Sequence, residues 1–581
     1  MKKVDSIRIL QRKRGPGEAK LAQELQPLLA RIYSARGITG VSELDLSMAN
    51  LLRPTRLKDA EKAAEIIAES IMTDKRIVIV GDFDCDGATA CALGVSALKA
   101  FGAQHVAFLV PNRFKFGYGL TPEIVALASD AEVIITVDNG ISSLEGVDAA
   151  NAAGIEVVIT DHHLAGKELP RAAAIVNPNQ PGCDFPSKAL AGVGVIFYLL
   201  SLVRSHLAAV NWFESNNIAK PNMAQFLDLV ALGTIADVVP LDQNNRILVQ
   251  EGLKRIRGGA GRPGIRAICE IARRETAKLS AQDLAFAVGP RLNAAGRLDD
   301  MSLGIQCLLS DDLAEARRLA AALNQLNVAR RKIEQVMTED AELLVVASVN
   351  KQQELTKMDL GICLFDESWH QGVIGIVAGR IREKFHRPVI AFAESGVDEL
   401  KGSARSIPGV HVRDVLDAIA SRYPGLIGKF GGHAMAAGLS LRQIHFTRFA
   451  DAFNKEVGRW VSEHDLQGTI LTDGSLDVSQ LDLDTARLIG RAGPWGQAFP
   501  EPLFEGEFEL VDQRVVGETH LKLSLKMDNC LIDAIAFRQP PLVRSNSGKE
   551  NKVKVVYKLA ENDYRNQVTL QLMVDHIELF E

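Results

Sequence analysis

Apolar and polar positions along this chain change rhythm three times. From about Lys75, short apolar runs alternate with longer helical stretches. The runs predict strands at Arg76–Val80, Val106–Val110, Val133–Val137, Val157–Thr160 and Ala173–Val176. Helices such as Ala88–Ala100, Pro122–Leu127 and Leu144–Ala153 separate them. Strands that alternate with helices make a parallel sheet covered on both faces. After about Ser310, Leu319, Leu323, Leu326, Ile333 and Met337 keep a spacing of three to four, while Arg317, Arg318, Arg330, Arg331 and Lys332 take other faces. That pattern predicts a long helical connector.

A second, smaller α/β unit is expected from about Met358 to Lys455, with strands near Leu360–Phe365 and Val389–Phe392. The last stretch is all strand in character: Val511–Val516, Leu521–Lys526, Leu531–Phe537, Val553–Leu559 and Val568–Ile577, with a turn at Ser545-Asn546-Ser547-Gly548. Five short strands fit a small barrel of the OB type. The expected fold class is therefore α/β multidomain. Its parts are an N-terminal segment 1–48, a parallel-sheet domain 49–310, a helical connector 311–350, a second α/β domain 351–460 and a barrel domain 461–581. No internal repeat or low-complexity tract interrupts them.

Composition narrows the class. The 581 residues are 47% hydrophobic and 24% charged, with a net charge of -6. A uniformly basic surface is excluded, whereas a local basic groove is not. Seven cysteines are scattered with no CxxC pair, which argues against a disulfide framework or zinc ribbon and fits a reducing cytoplasm. The start of the chain has no signal-peptide apolar core. The longest apolar run, Ala189 to Val203, falls short of the ~20 residues that cross a bilayer. With Gly192 and Gly194 inside it, the run reads as a closely packed buried helix, and no membrane partner is expected.

The candidate chemistry lies at the ends of the predicted strands. Gly81-Asp82-Phe83-Asp84-Cys85-Asp86-Gly87 follows the run Ile77–Val80, and side chains at i, i+2 and i+4 of an extended chain share one side. Three crowded carboxylates raise one another's pKa unless a cation neutralises them. Asp138, in Val137-Asp138-Asn139-Gly140, and Asp161-His162-His163 end the next strands, and Asp237 ends an apolar helical run. In open α/β sheets ligands gather at such carboxyl ends. Acids with one or two imidazoles suit two Mn²⁺ or Mg²⁺ ions better than zinc, and imidazole favours Mn²⁺. Taken singly, Asp138-Asn139-Gly140 also reads as a turn, the histidines as a surface pair or cap, and Asp237 as a helix terminus.

These four stretches, in order, resemble the four motifs of the DHH phosphoesterase superfamily. Arg113-Phe114-Lys115-Phe116-Gly117-Tyr118-Gly119, Gly289-Pro290-Arg291-Leu292-Asn293-Ala294-Ala295-Gly296-Arg297, Trp369-His370-Gln371-Gly372 and Phe430-Gly431-Gly432-His433 extend the resemblance to its RecJ family of exonucleases, from about Ala49 into the barrel. The resemblance implies one metal held by Asp82, Asp84 and Asp138 and a second by Asp86, Asp138, His162 and Asp237. His163 would face the scissile phosphate and Asp161 would orient its neighbours. It also implies 5′-to-3′ hydrolysis of single-stranded DNA to mononucleotides by two-metal in-line displacement, in repair and recombination. Ser403, Arg405, Gly432 and His433 become candidates for the 5′-phosphate, against a plain tight turn at Gly431-Gly432. Arg113, Tyr118, Arg291, Asn293 and Arg297 become candidates for lining the strand's channel, against ordinary ion pairs. His370 reads equally as a site residue and as a structural one. The trailing Pro494-Trp495-Gly496-Gln497-Ala498-Phe499-Pro500 reads as packing more readily than as base stacking. The two α/β units are expected to form a cleft too narrow for duplex, and a single-strand-binding protein and a helicase are the expected partners of a monomer. Two other readings stay open: a superfamily enzyme acting on short oligonucleotides or small phosphate esters, and a non-catalytic DNA-binding relative.

Overall fold

The computed structural model of the chain describes residues 7–351, 359–462, 464–517, 520–542, 552–564 and 567–580. The chain divides into two compact units. One comprises Ile9–Asn293, Met301–Ala321 and Leu471–Glu581; the other comprises Met1–Arg8, Ala294–Asp300 and Ala322–Ile470.

In the first unit, five strands form one sheet: β1 (Ile77–Gly81), β2 (Val106–Leu109), β3 (Val133–Val137), β4 (Glu156–Thr160) and β5 (Ala174–Val176). Their order is β2-β1-β3-β4-β5, and every pairing is parallel. β1 and β3 are buried at every residue, as their β-branched runs require. Helix α1 (Cys85–Ala100) follows β1 directly. Chain order reverses between β1 and β3. At such a reversal the connections leave on opposite faces and open a crevice beyond the strands' carboxyl ends.

Two apolar helices complete the layer: α2 (Gly192–Ala209) and α3 (Leu227–Ala236). α2 has 18 residues with a mean hydropathy of 1.5, so its length and composition alone would let it cross a membrane. It packs instead against α1 and α3, and 67% of it is buried inside the protein. A helix apolar on all sides belongs in a core or a bilayer, and this one has a core. From Ile9 onward the N-terminal segment joins the same unit. Tyr33 stacks on Trp495 and Phe499, and Arg36 pairs with Asp473 at 2.7 Å with both side chains 1% exposed. The aromatics before the barrel are therefore packing residues.

The second unit contains α4 (Gly289–Leu298) from Ala294 onward and most of the 39-residue helix α5 (Leu313–Lys351). Its sheet has five strands: β6 (Ile362–Phe365), β7 (Val389–Glu394), β8 (Glu399–Arg405), β9 (Lys429–Gly432) and β10 (Ala436–Arg442), in the order β9-β10-β8-β7-β6. Only β6 and β7 run parallel. The sequence pattern predicts β6 and β7 but not the other three. Lys401-Gly402-Ser403 and Gly431-Gly432 lack the apolar, β-branched residues that mark a strand. Helix α6 (Ile374–Phe385) lies between β6 and β7 in the chain.

The last five strands are β11 (Phe504–Val516), β12 (His520–Met527), β13 (Cys530–Ala536), β14 (Lys552–Tyr564) and β15 (Gln567–Leu579). They close a barrel in the order β11-β12-β13-β15-β14, sealed by the parallel pair β13–β15. Closure removes the free edges that would invite further pairing. The expected Ser545–Gly548 turn lies outside the described residues.

Candidate metal centre

The crevice at the β1–β3 reversal collects the acids. The alignment along an extended chain expected from the i, i+2, i+4 spacing is not what forms. β1 ends at Gly81, before the first aspartate. Asp82 lies in the turn, and Asp84 caps α1, its Oδ1 accepting from Asp86 N (2.9 Å) and Gly87 N (3.1 Å). Asp86 stands in the first helical turn. A strand-to-helix turn this tight needs glycine: a Cβ on Gly87 would stand 2.5 Å from Asp82 O. The turn delivers the three carboxylates to two groups rather than one row. Asp82 and Asp84 gather with Asp138, and Asp86 gathers with His162 and Asp237. A third group, Asp138 with His162 and His163, joins them. Within each group the candidate ligand atoms lie within 4.8 Å of one another.

Asp138 follows β3 at φ +62, a left-handed position that costs a non-glycine residue energy and that clusters at working sites. Asn139 fixes this turn by donating to Val80 O (3.1 Å) and Val137 O (2.8 Å) across β1 and β3. Asp237 caps the carboxyl end of α3. His162 Nε2 lies 3.1 Å from Asp138 Oδ1 and 3.5 Å from Asp237 Oδ2.

Asp86 is anchored from a direction the motif does not reveal. Its Oδ2 accepts from Gly192 N (2.6 Å) and its Oδ1 from Val193 N (3.0 Å), at the positive end of α2. A Cβ on Gly192 would stand 2.5 Å from Asp138 Cβ. Only glycine lets the helix end come this close. The sequence signal was Ala191-Gly192-Val193-Gly194 at the head of an apolar run. Asn177 and Asn179 are a second omission of the sequence reading. Their amides donate to His163 O (3.0 Å) and His162 O (2.6 Å) and hold the histidine backbone.

Asp161 is the hub for both histidines. Its Oδ1 accepts from His162 N (2.7 Å) and His163 N (3.1 Å) and pairs with His163 Nδ1 (2.7 Å), while Oδ2 accepts from Ile141 N (2.9 Å). Burial would raise the Asp161 carboxyl, but the hydrogen bond and charge of His163 hold it below its ordinary value. Burial works against the His163 imidazolium, yet the bond to Asp161 and that residue's charge lift it to about 9.

Four other acids, Asp82, Asp86, Asp138 and Asp237, move the opposite way. Burial first, then Asp84, pushes Asp82 well above the carboxylate range and Asp86 to about 7. Burial, followed by Asp86, Asp84 and Asp82, does the same to Asp138 and Asp237. Asp138 Oδ1 is buried, with His162 Nε2 at 3.1 Å facing it. Carboxylates packed so that their own charge is disfavoured, one with a buried oxygen facing only an imidazole nitrogen, fit divalent cations. The donor set is oxygen with imidazole. Cys85, the thiol in the motif, is held protonated by burial and then by Asp84 and Asp86, so it adds no soft ligand. That set suits Mn²⁺ or Mg²⁺.

The remaining candidates divide between the units. In the first, the Arg113 guanidinium lies 4.1 Å over the Phe83 ring, and Tyr118 OH reaches Asp138 O and His163 Nδ1, both at 3.2 Å. Asn293 Oδ1 accepts from Cys85 N (2.7 Å), which ties its helix to the acidic turn. Arg291 is buried and donates to Ala287 O (2.6 Å). In the second, Arg297 donates to Gly372 O (3.2 Å), and His370 Nδ1 accepts from Gly372 N (3.1 Å). Burial lowers the His370 pKa. The start of α6 meets β8: a Cβ on Gly375 would stand 2.8 Å from Ser403 Oγ and 2.9 Å from Arg405 Nη2. Arg405 Nη1 donates to Ser403 Oγ (3.1 Å). Gly432 takes φ +135 in the β9–β10 hairpin, which His433 N closes on Ala436 O (2.7 Å).

Family models match the chain in three places: the DHH family N-terminal domain over residues 76–234, the DHHA1 domain over 356–463 and the RecJ OB domain over 472–576. The single-stranded-DNA-specific exonuclease RecJ of Dickeya dadantii (strain 3937) is 50% identical over 570 residues, 97% of this chain and 98% of that protein. The chain belongs to the RecJ family. The manganese-bound RecJ of Thermus thermophilus matches with a TM-score of 0.79 at 30% identity, covering 100% of this chain and 80% of that one. The magnesium-bound form from the same organism matches at 0.74 and 28%, covering 99% and 79%. The RecJ architecture is the one expected from the sequence: a parallel-sheet DHH domain, a long helix, a smaller α/β domain and an OB barrel.

Proposed function

We infer that this chain is a metal-dependent exonuclease specific for single-stranded DNA, working from the 5′ end and releasing 5′-mononucleotides. The observation that carries the reading is the interlocking of the Asp82–Asp84–Asp138, Asp86–His162–Asp237 and Asp138–His162–His163 groups at the sheet reversal. In this reading Asp82, Asp84 and Asp138 hold one ion. Asp86, Asp138, His162 and Asp237 would hold the other, with Asp138 shared between the two groups. When bound, a pair of Mn²⁺ or Mg²⁺ ions activates water and stabilises charge on the phosphoryl oxygens and the leaving 3′-oxygen. The chain's part is placement. Asp161 fixes the orientation of His163, and His163 faces the scissile phosphate, where the Asp161 carboxylate supports positive charge on its ring. Ser403, Arg405 and the amide end of α6 hold the 5′-phosphate by charge-assisted hydrogen bonds. Arg113, Tyr118 and Arg291 serve the strand near the metals, and Arg297, His370, Gly432 and His433 serve it in the second unit.

The same reading makes repair and recombination the setting, with a single-strand-binding protein and a helicase as partners of a cytoplasmic monomer. Seven cysteines, all unpaired, suit that compartment. The test is a degradation assay on a 5′-labelled single strand, its duplex and a dinucleotide, with and without chelator. Release of mononucleotides from the single strand alone, abolished by chelation and by Asp138→Ala, is the expected result. Equal activity of wild type and Asp138→Ala, or preference for the dinucleotide, overturns it.

A further inference from the structure

An irregular turn beside the metal centre has no part in holding ions. The helix that carries Asn293 is preceded by a widened turn, Leu284–Val288, where Gly289 N–H reaches back five residues to Leu284 O. Such turns are rare and concentrate at working sites. Pro290 accounts for this one. It has no N–H for the carbonyl four residues back, that of Phe286, and its ring collides with that carbonyl. Phe286 is 73% exposed. Arg291, itself buried, donates to Ala287 O and pins the turn.

The turn packs against α3, the helix that ends at Asp237. A Cβ on Gly289 would stand 3.3 Å from the Cβ of Ala236, the residue before Asp237. Just past Asp237, Val238 takes φ +61 and is 62% exposed. That left-handed position after a helix end usually falls to glycine, and a β-branched residue there is strained. The strain leaves a second apolar side chain in solvent beside a metal-binding acid, where stored strain tends to serve function.

We propose that Phe286 stacks on a base of the strand being cut, with Val238 as its apolar flank, and that Arg291 is a positioning residue for the ring. An unpaired base offers a flat apolar face, which is what an exposed aromatic beside a phosphodiester-cleaving centre receives. A base within a duplex has both faces covered by its neighbours, so the contact also selects single strands. This role of Phe286 rests on the nuclease reading above.

The test compares two 5′-phosphorylated oligonucleotides of equal length, one of thymidines and one with tetrahydrofuran abasic sites at its first four positions. Wild type, Phe286→Ala and Phe286→Trp are assayed with Mn²⁺, and melting temperatures are recorded for each. Phe286→Ala is expected to lower kcat/KM on the thymidine strand by about 10-fold or more, in line with the loss of one stacked base. It is expected to leave the abasic strand within about 2-fold, and Phe286→Trp to restore the thymidine rate. An equal fall on both strands, no fall at all, or a loss that Phe286→Trp does not restore overturns the stacking role. A wild-type protein that cuts neither strand overturns the nuclease reading itself.

Discussion

His163 Nδ1 lies 2.7 Å from Asp161 Oδ1, and the same oxygen accepts the backbone N–H of His163. One carboxylate thus sets both the ring and the backbone of the residue proposed to face the substrate. It also accepts from Ile141 on the neighbouring loop, so the histidines and the Asp138 turn share one anchor.

Replacing Asp161 with asparagine keeps the shape but loses the charge that supports the imidazolium. Partners of this kind are worth about 10- to 100-fold in activity or metal affinity. Asp161→Asn is therefore expected to lower kcat by that range at saturating Mn²⁺. Full activity in a manganese titration would remove Asp161 from the role of anchor.

Asp138→Asn should separate catalysis from stability. Buried and surrounded by like-charged neighbours, the Asp138 carboxylate is unfavourable in the metal-free protein. The variant is expected to lose about 10³-fold or more in turnover, the scale set by removing one group of a cooperating set. In chelator it is expected to melt above wild type. Added Mn²⁺ should stabilise wild type by about 2.7 kcal/mol at a hundred times its dissociation constant and the variant by clearly less. Calorimetry with and without metal reads both.

The start of α6 gives a test independent of metal. A Cβ on Gly375 would press on Ser403 Oγ at 2.8 Å and Arg405 Nη2 at 2.9 Å. Gly375→Ala is expected to raise KM for a 5′-phosphorylated single strand by about 10-fold, the equivalent of one charge-assisted hydrogen bond. KM for the 5′-hydroxyl strand should barely move. Equal effects on both strands would take Ser403 and Arg405 out of end recognition.

Gly192→Ala probes the far side of the centre. Its methyl group would meet Asp138 Cβ at 2.5 Å and Oδ1 at 2.8 Å. The collision moves either the helix end that holds Asp86 or the Asp138 turn. A melting temperature several degrees lower and weaker Mn²⁺ binding are expected, at a cost of about 1–3 kcal/mol for overpacking. Isothermal titration with Mn²⁺ measures the second effect directly.

Much of this arrangement was legible in the chain. The β1, β3 and β4 runs are continuous and β-branched, and each ends in an acid, so the strands and the carboxyl-end position of the acids could be read together. Asp237 at the end of α3 followed from the apolar run before it. The local geometry of Asp82, Asp84 and Asp86 was misread because alternation along a strand and the opening of a helix place side chains differently, and three aspartates at even spacing do not say where a strand stops. Asp84 can cap a helix, and here it does.

Other elements left no local signal. The amides of Gly192 and Val193 act through the main chain, which a side-chain motif cannot display. Asn177 and Asn179 look like ordinary turn formers beside Pro178. Strands β8, β9 and β10 are glycine-rich and acquire their pairing from register, with Gly438 opposite both Ser403 and Gly431. The widened turn before Gly289 could have been read from Pro290, since a proline inside a helical pattern demands some departure four residues back.

The groups placed to hold the two ions come from the turns after β1, β3 and β4 and from the tip of α3, positions 82 to 237, and no two neighbouring segments supply the full set. A chain emerging from the ribosome therefore has no cutting power until the last of these stretches has been made and has docked. A degradative enzyme in contact with a cell's own genetic material is by this construction inert while immature, and loses its ions whenever the sheet comes apart.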